Sequence, residues 1–401
     1  MIRIAIDGNE ANIKERVGSN AYAYKILVAL EKILQDQSNI SVEVLLSQPV
    51  QTDFPQEREG WTYRNFGPAS FWTQWALPWH LFHSRQKYDV FFTPGHYAPR
   101  YSLIPYVSSV MDLAFLDFGK QFRKKDLLQL KEWTRYSVKN AKRVIAISQF
   151  TKQDIVEKYH LAAEKVVVAY PGLSLNSTPA LKEKEKMETF EKWHIHQPYL
   201  LYVGTLQPRK NLLKLIKSFE LVVQQSNEER KENRKRKNYL TSDSGKIETL
   251  QLVIAGKIGW LAGPIMARIQ ASSLKNRIIV TGYVAEQEKM FLYKEAAASI
   301  LIGLYEGFGI PPLEAMQANT IPIVSNTTSL PEVVGEAGIQ VSPDDVQAIA
   351  TGIKTVLQQP AKERAALLKK GRQQIKKFSW EKSAQIVLDT LLEVVAESKK
   401  A

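Results

Sequence analysis

Ser299–Val324, SILIGLYEGFGIPPLEAMQANTIPIV, holds a complete strand–turn–helix–strand unit. Ser299–Leu304 is mostly aliphatic and too short for a core helix, so it reads as a strand buried on both faces. Gly307 and Gly309 break that run. Pro311 and Pro312 suit a first helical turn, where a missing N–H costs nothing, and the helix covers Pro312–Ala318. A second strand follows at Ile321–Val324. Strands joined through a helix lie parallel in one sheet.

The same alternation extends in both directions. Upstream lie strands at Tyr199–Val203, Leu250–Ala255 and Arg277–Thr281, with helices at Leu212–Val223 and around Gln287–Ala296; a helix at Val346–Leu357 follows downstream. The first half repeats the pattern. Ile2–Ile6 is a short buried strand, and Ile26, Leu27, Leu30, Ile33 and Leu34 form a helical stripe. Ser41–Leu46, Tyr88–Thr93, Ile104–Val110, Arg143–Ile147 and Val166–Ala169 read as strands, and Lys124–Ala141 as an amphipathic helix. Ser148 or Thr151 is placed to cap the helix after Arg143–Ile147. The fold class is therefore α/β, with two consecutive doubly wound parallel sheets. Expected boundaries are 1–175 for the first domain, 176–198 for a charged linker with some helical character, 199–375 for the second domain and 376–401 for a terminal helix. Ser226–Ile247 (SNEERKENRKRKNYLTSDSGKI) reads as a solvated loop, too polar to offset chain entropy by burial. A nucleic-acid or lipid contact at Arg234–Lys237 stays open.

Composition bounds the function. The 401 residues suit two or three domains, and 44% hydrophobic with 24% charged residues is ordinary globular usage. Without any cysteine there are no disulfides, thiolate metal sites or cysteine nucleophiles. No run approaches about 18 apolar residues, and MIRIAIDGNEAN lacks the apolar core of a signal peptide, so a cytoplasmic protein is expected. The 54 Lys+Arg against 41 Asp+Glu leave a net charge of +13, which suits nucleic acid, anionic lipid or phosphorylated metabolites, or mere solubility.

Two segments carry chemistry. In YVGTLQPRKN (Tyr202–Asn211), a strand ends at Gly204 and two cations, Arg209 and Lys210, arrive just before a helix, an arrangement that suits a multiply charged anion. In LYEGFGIPPLEAMQANTIPIVSN (Leu304–Asn326), the glycine turn exposes backbone N–H groups at a helix N-terminus, an anion cradle. Glu306 and Glu314 would repel a phosphate. Instead they suit the hydroxyls of the two sugars of a nucleotide sugar.

Together these segments resemble the retaining glycosyltransferases of family four, which have the GT-B fold of two Rossmann-like domains facing across a cleft. The family pattern G-T-x-x-x-R-K-N is met by Gly204–Asn211, and E-G-F-G-x-x-x-x-E by Glu306–Glu314. Ser329-Leu330-Pro331-Glu332-Val333, Gly335, Gly338 and the terminal FSWEK at Phe378–Lys382 also fit, so the likeness spans the chain. It implies that Trp380–Val395 is a helix crossing back to the first domain. It implies that Arg209 and Lys210 bind the donor diphosphate, Glu306 the transferred sugar and Glu314 the ribose. Amides of Gly307, Phe308, Gly309 and Ile310 would contact sugar and phosphate, as would the Leu313 backbone; Tyr283 and Val284 would meet the base. In the first domain Gly18 occupies the place of the family's glycine-rich loop. The usual His-Asp reads Met111-Asp112, which keeps the acid and loses the imidazole. His96 and Ser148 are acceptor-side candidates.

The resemblance implies front-face transfer of a hexose to a glycan or lipid-linked glycan in cell-envelope polysaccharide synthesis. Likeness to the mannosyl branch suggests GDP-mannose, with UDP-glucose and a dTDP-deoxyhexose still open. No cofactor or metal is expected: Asp344-Asp345 reads as a helix cap, and His80 with His83 lacks a third ligand. No nucleic acid is expected as a partner. Pro68–Trp79 (PASFWTQWALPW) packs inside the first domain or forms a peripheral contact with anionic membrane. Two other readings remain: a nucleotide-sugar hydrolase or epimerase of the same fold, and a non-catalytic basic nucleic-acid-binding or scaffold protein.

Overall fold

A computed structural model describes residues 1–95, 97–173, 181–235 and 247–400. The chain divides into two units, Met1–Ser174 with Phe378–Ala401, and Leu175–Lys377.

The first unit is built on seven strands: β1 (Ile2–Asp7), β2 (Ile40–Leu46), β3 (Trp61–Asn65), β4 (Val90–Thr93), β5 (Tyr106–Val110), β6 (Arg143–Ala146) and β7 (Val166–Val168). Their order is β3-β2-β1-β4-β5-β6-β7, every pair parallel. The chain moves outward from β1 to β3, then crosses β1 to lay β4 on its other side. That reversal opens a crevice beyond the carboxyl ends of β1 and β4. Ile4 pairs with Val42 on one side and Val90 on the other. Ile4, Ala5 and Ile6 are all buried, as expected of a strand covered on both faces.

Gly18, at φ 57°, starts the helix Ser19–Ile33, which buries Tyr22, Ala23, Ile26, Leu27 and Leu30 along one stripe. The terminal helix Trp380–Ser398 packs on it. Ser379 caps that helix by accepting from the Lys382 amide, and Val387, Leu388, Leu391, Val394 and Val395 are its buried face.

The second unit carries β8 (Tyr199–Val203), β9 (Gln251–Ala255), β10 (Ile278–Gly282), β11 (Ala298–Leu301), β12 (Pro322–Ser325) and β13 (Ile339–Val341). The order β10-β9-β8-β11-β12-β13 is again wholly parallel and reverses between β8 and β11. Side chains alternate between two cores: Leu200, Tyr202, Leu252 and Ile254 join one, Tyr199, Leu201, Val253 and Ala255 the other.

Several expectations change. The helix starting at Leu212 does not stop at Val223 but continues to Lys235, so the first part of Ser226–Ile247 is helical rather than loop. Its Glu, Lys, Arg and Gln residues are strong helix formers, and one i,i+4 pair and two pairs with residues outside the helix support them. Gln224 donates to Glu228 at 2.9 Å, Lys354 pairs with Glu229 at 2.8 Å, and Arg230 pairs with Glu248. Residues 236–246 lie outside the described residues, as does the Arg234 side chain. Glu183–Trp193, within the stretch read as a linker with some helical character, is a regular helix, and its Phe190 packs on the second core of this unit. Pro68–Trp79 does not pack inside as a block. Trp72 is buried, whereas Phe71, Trp75 and Trp79 are exposed. Strands β3 and β13 escape the periodicity reading because both lie at a sheet edge and mix polar, partly exposed residues with few apolar ones.

Candidate functional site

The two motif segments meet where the second sheet reverses. Gly204 follows β8, and the loop from Ile302 to Gly309 follows β11. Gly204 donates to the Ala255 carbonyl at 2.9 Å. A Cβ on Gly256 would lie 2.1 Å from the Gly204 carbonyl oxygen, so only glycine lets these two loops run side by side.

A 3₁₀ turn at Pro208–Lys210 brings both cations against the second loop, and Asn211 closes it in the left-handed region at φ 62°. Asn211 is buried because its amide donates to the Ile302 and Pro343 carbonyls (3.2 and 2.7 Å). Lys210 Nζ then donates to both oxygens of Glu306, each at 2.7 Å. Arg209 reaches the Tyr305 carbonyl at 3.2 Å and stands 3.9 Å from Glu306. The Glu306 side chain is only 8% exposed, and these two cations are its ionic partners. Ser329 Oγ spans the Glu306 and Phe308 carbonyls (2.8 and 2.7 Å), fixing the Glu306–Gly309 turn from below.

Gly309, at φ 108°, caps the eight-residue helix Ile310–Gln317. Pro311 and Pro312 remove two N–H groups, leaving the amides of Ile310 and Leu313 as donors of the first turn. Glu314 sits in that helix with its carboxylate 2.7 Å from Lys289 Nζ, which also meets Glu286 at 2.8 Å. Burial pushes the Glu314 carboxyl above its ordinary range. For Lys289, burial opposes the charge, but Glu314 and Glu286 outweigh it and hold the ammonium above the ordinary lysine value. Lys289 was not singled out from the sequence, since nothing local marks it. Tyr283 is exposed beyond β10, with Lys257 5.2 Å from its ring centre, while Val284 packs on the core.

In the first unit the candidates occupy the carboxyl edge of the sheet. Gly18 has open space around it. Asp112 accepts from the Ala114 amide at 3.0 Å, and Met111 beside it is buried. Ser148 is fully buried and caps its helix, accepting from the Thr151 amide at 2.9 Å, which gives its hydroxyl a local structural use. His96 lies outside the described residues. Asp345 caps the helix Val346–Leu357 by accepting from Gln347 and Ala348. His80 is 3.3 Å from the Tyr88 hydroxyl, and burial pushes its pKa down to about 4; His83 meets the Trp79 carbonyl instead. Among the described residues no helix is long and apolar enough to cross a membrane.

Residues 34–177 match the family model described as glycosyltransferase family 4, and residues 184–374 that of glycosyl transferases group 1. The O-antigen chain mannosyltransferase B of Escherichia coli is 28% identical over 293 residues, 73% of this chain and 71% of its own. The O-antigen chain mannosyltransferase RfbU of Salmonella typhimurium is 30% identical over 226 residues, 56% of this chain and 54% of its own. Among solved structures, sucrose-phosphate synthase from Thermosynechococcus elongatus superposes with a TM-score of 0.69 over 99% of this chain and all of that one, at 19% identity, a likeness of fold. With two parallel-sheet units, the paired loops at the reversal of the second sheet and a match to both halves of the family, this chain belongs to the family-four glycosyltransferases of GT-B fold.

Proposed function

We propose that this glycosyltransferase moves mannose from GDP-mannose, with retention, onto a glycan or lipid-linked glycan in cell-envelope polysaccharide synthesis. The observation that carries the reading is the Lys210–Glu306 pair at the reversal of the second sheet. It sets a cation and a hydroxyl-binding carboxylate side by side, as a sugar joined to a diphosphate requires. The likeness to two O-antigen mannosyltransferases supports mannose.

In this scheme the bond between the sugar C1 and the diphosphate oxygen breaks while the acceptor oxygen attaches to C1 on the same face. The departing oxygen takes the acceptor's proton. Arg209 and Lys210 neutralise the charge growing on the leaving diphosphate, and the amides from Gly307 to Ile310, with that of Leu313, hold its oxygens and the sugar. Glu306 turns from Lys210 toward sugar hydroxyls, and Glu314 accepts from the ribose while Lys289 keeps it charged. Tyr283 offers its exposed ring to the base. No metal enters this scheme, so EDTA should leave turnover unchanged.

The test is a thermal-shift panel of GDP-mannose, UDP-glucose, UDP-N-acetylglucosamine and dTDP-rhamnose, each beside its bare nucleotide, on wild type and Lys210→Ala. At about 100 times its dissociation constant a ligand adds roughly 2.7 kcal/mol. Stabilisation by GDP-mannose that Lys210→Ala loses supports the reading. Stabilisation by another series reassigns the donor, and no shift with any of them defeats it. The anomeric configuration of the product, read by NMR, tests retention.

A further inference from the structure

Between Phe71 and His83 the chain turns one tryptophan in and two out. Trp72 Nε1 donates to Asp7 Oδ1 at 3.1 Å, beside a cavity of about 100 Å³ that both residues line. Trp75, on the same π-helical turn (Trp72–Ala76), is 73% exposed, and Trp79, on the helix Leu77–His83, is 66% exposed. With Phe82, Arg100, Tyr101 and Tyr136 they line a groove of about 520 Å³, walled chiefly by aromatic rings. Backbone strain accompanies this exposure. Phe71 and Tyr101 are both exposed, yet each holds the left-handed region at φ 59°. A Cβ makes that conformation costly, and glycine or asparagine would serve either turn with less strain. Rings held on a strained backbone without being buried serve something other than packing.

Charge selects the partner. One wall of the groove is the helix Lys124–Asn140, which contributes Trp133 and Tyr136. Residues 120–140 hold seven Lys and Arg against Asp126 and Glu132. Lys124, Leu128, Lys131, Arg135 and Lys139 recur at helical spacing along one stripe, about a quarter turn from Tyr136. Nearby cations are neutralised, Lys158 by Asp117 and Asp154 and Arg143 by Glu397. Among the described residues none of those seven is held in an ion pair. Arg85 stands 5.3 Å from the centre of the Phe82 ring and Arg100 5.5 Å from that of Tyr136, so cations also rim the aromatic face. Leu103 and Leu128, 62% and 66% exposed, have no π-face with which to stack on a nucleic-acid base, but acyl chains suit them. Rings and aliphatic side chains bordered by unpaired cations fit the boundary layer of an anionic bilayer, where rings enter among the head groups and cations meet lipid phosphates.

We propose that this face docks the protein on the surface of an anionic bilayer: Trp75, Trp79 and Tyr101 enter the head-group layer while Lys124, Arg135 and Arg100 lie against lipid phosphates. No described helix is long and apolar enough to cross a membrane, so the contact is peripheral. It is independent of the donor reading, since it needs no nucleotide sugar. Flotation of the full chain with vesicles of phosphatidylglycerol and phosphatidylethanolamine, beside vesicles of phosphatidylcholine, tests it at low and high salt. Three variants accompany wild type: Trp75→Ala with Trp79→Ala, Lys124→Glu with Arg135→Glu, and Lys362→Glu with Lys369→Glu, which makes the same charge change on the second unit. All six residues are exposed, so each variant should unfold at the wild-type temperature and bind GDP-mannose as wild type does. Binding should need the anionic lipid and weaken with salt. The aromatic pair should lower vesicle affinity about tenfold, and the pair on Lys124–Asn140 about 25-fold or more, at about fivefold per cation. The second-unit pair should change it little. An equal loss in the second-unit pair would show attraction to net charge alone and overturn the inference. So would equal binding to phosphatidylcholine, unchanged binding in both first-unit pairs, or no vesicle binding at all. In that last case, dimers seen by light scattering or oligothymidine binding, either one removed by the aromatic pair, would assign the face to a second copy or to nucleic acid.

Discussion

Replacing Asp7 by asparagine should stabilise the protein, and only above acidic pH. In the folded chain the carboxyl sits at about 7 against an ordinary value of 3.8, because burial penalises its charged form. A carboxyl raised by folding holds its proton more tightly in the native state. Its contribution is therefore most favourable below about pH 4, is lost progressively as pH climbs toward 7, and is flat beyond. The gap between 3.8 and about 7 corresponds to a ceiling of about 4 kcal/mol at pH 8. Relaxation and water entry reduce this, so about 1–3 kcal/mol is expected. Asparagine suits the site: its carbonyl can take the place of Oδ1, accepting from Asn9 and Trp72, while its NH₂ faces the cavity. Urea unfolding followed by tryptophan fluorescence at pH 4, 6 and 8 measures the difference between variant and wild type. That difference should be near zero at pH 4 and grow to its full value by pH 8, equivalent to about 2–4 °C in Tm per kcal/mol. A variant no more stable than wild type at pH 8, or a difference that does not change with pH, refutes the assignment of a strained, desolvated carboxylate.

Lys210→Ala should lower turnover on the order of 10²–10³-fold. It should also destabilise by about 3–5 kcal/mol, because Glu306 is left buried without its partner. Adding Glu306→Ala should recover much of the stability and none of the activity, and a single variant with wild-type turnover would remove Lys210 from the mechanism. Lys289→Met takes away the charge that holds Glu314 ionised, so the Glu314 carboxyl should rise further. Its stability, followed by thermal unfolding, should then fall more steeply with rising pH than that of wild type, in which Asp7 and Glu314 are already raised; parallel profiles would show that the pair is not coupled. Gly256→Ala places a methyl group 2.1 Å from the Gly204 carbonyl oxygen, and a loss of about 2 kcal/mol or more is expected in equilibrium unfolding. Unchanged stability would mean that the two loops can move apart.

The parallel-sheet architecture was legible because its signals are local. Ile2–Ile6, Tyr199–Val203 and Val346–Leu357 announce themselves through apolar periodicity and the Gly and Pro that bound them, and the structure has elements at each. The same locality misled at Ser226–Lys235, where polarity suggested loop although Glu, Lys and Arg are good helix formers once an apolar stretch has nucleated the helix. In Pro68–Trp79 composition could not say which tryptophan turns inward. Trp72 does so because its indole N–H finds Asp7; among the described residues no sheet residue bonds Trp75 or Trp79 in this way.

By itself the sequence determines which residue types follow one another: a glycine turn before a proline-started helix, two cations after a strand, an acid four residues into a helix. These establish the order of elements and name Arg209, Lys210, Glu306 and Glu314. Tertiary structure decides what each of them meets. It joins Lys210 to Glu306 across 96 residues, sets Lys289 against Glu314, and buries Asp7 under Trp72 from 65 residues away. Charge state and desolvation depend on neighbours distant along the chain, brought together only when the sheet reverses direction. For that reason the acid at the end of β1 is unremarkable in the sequence and conspicuous once the chain is folded.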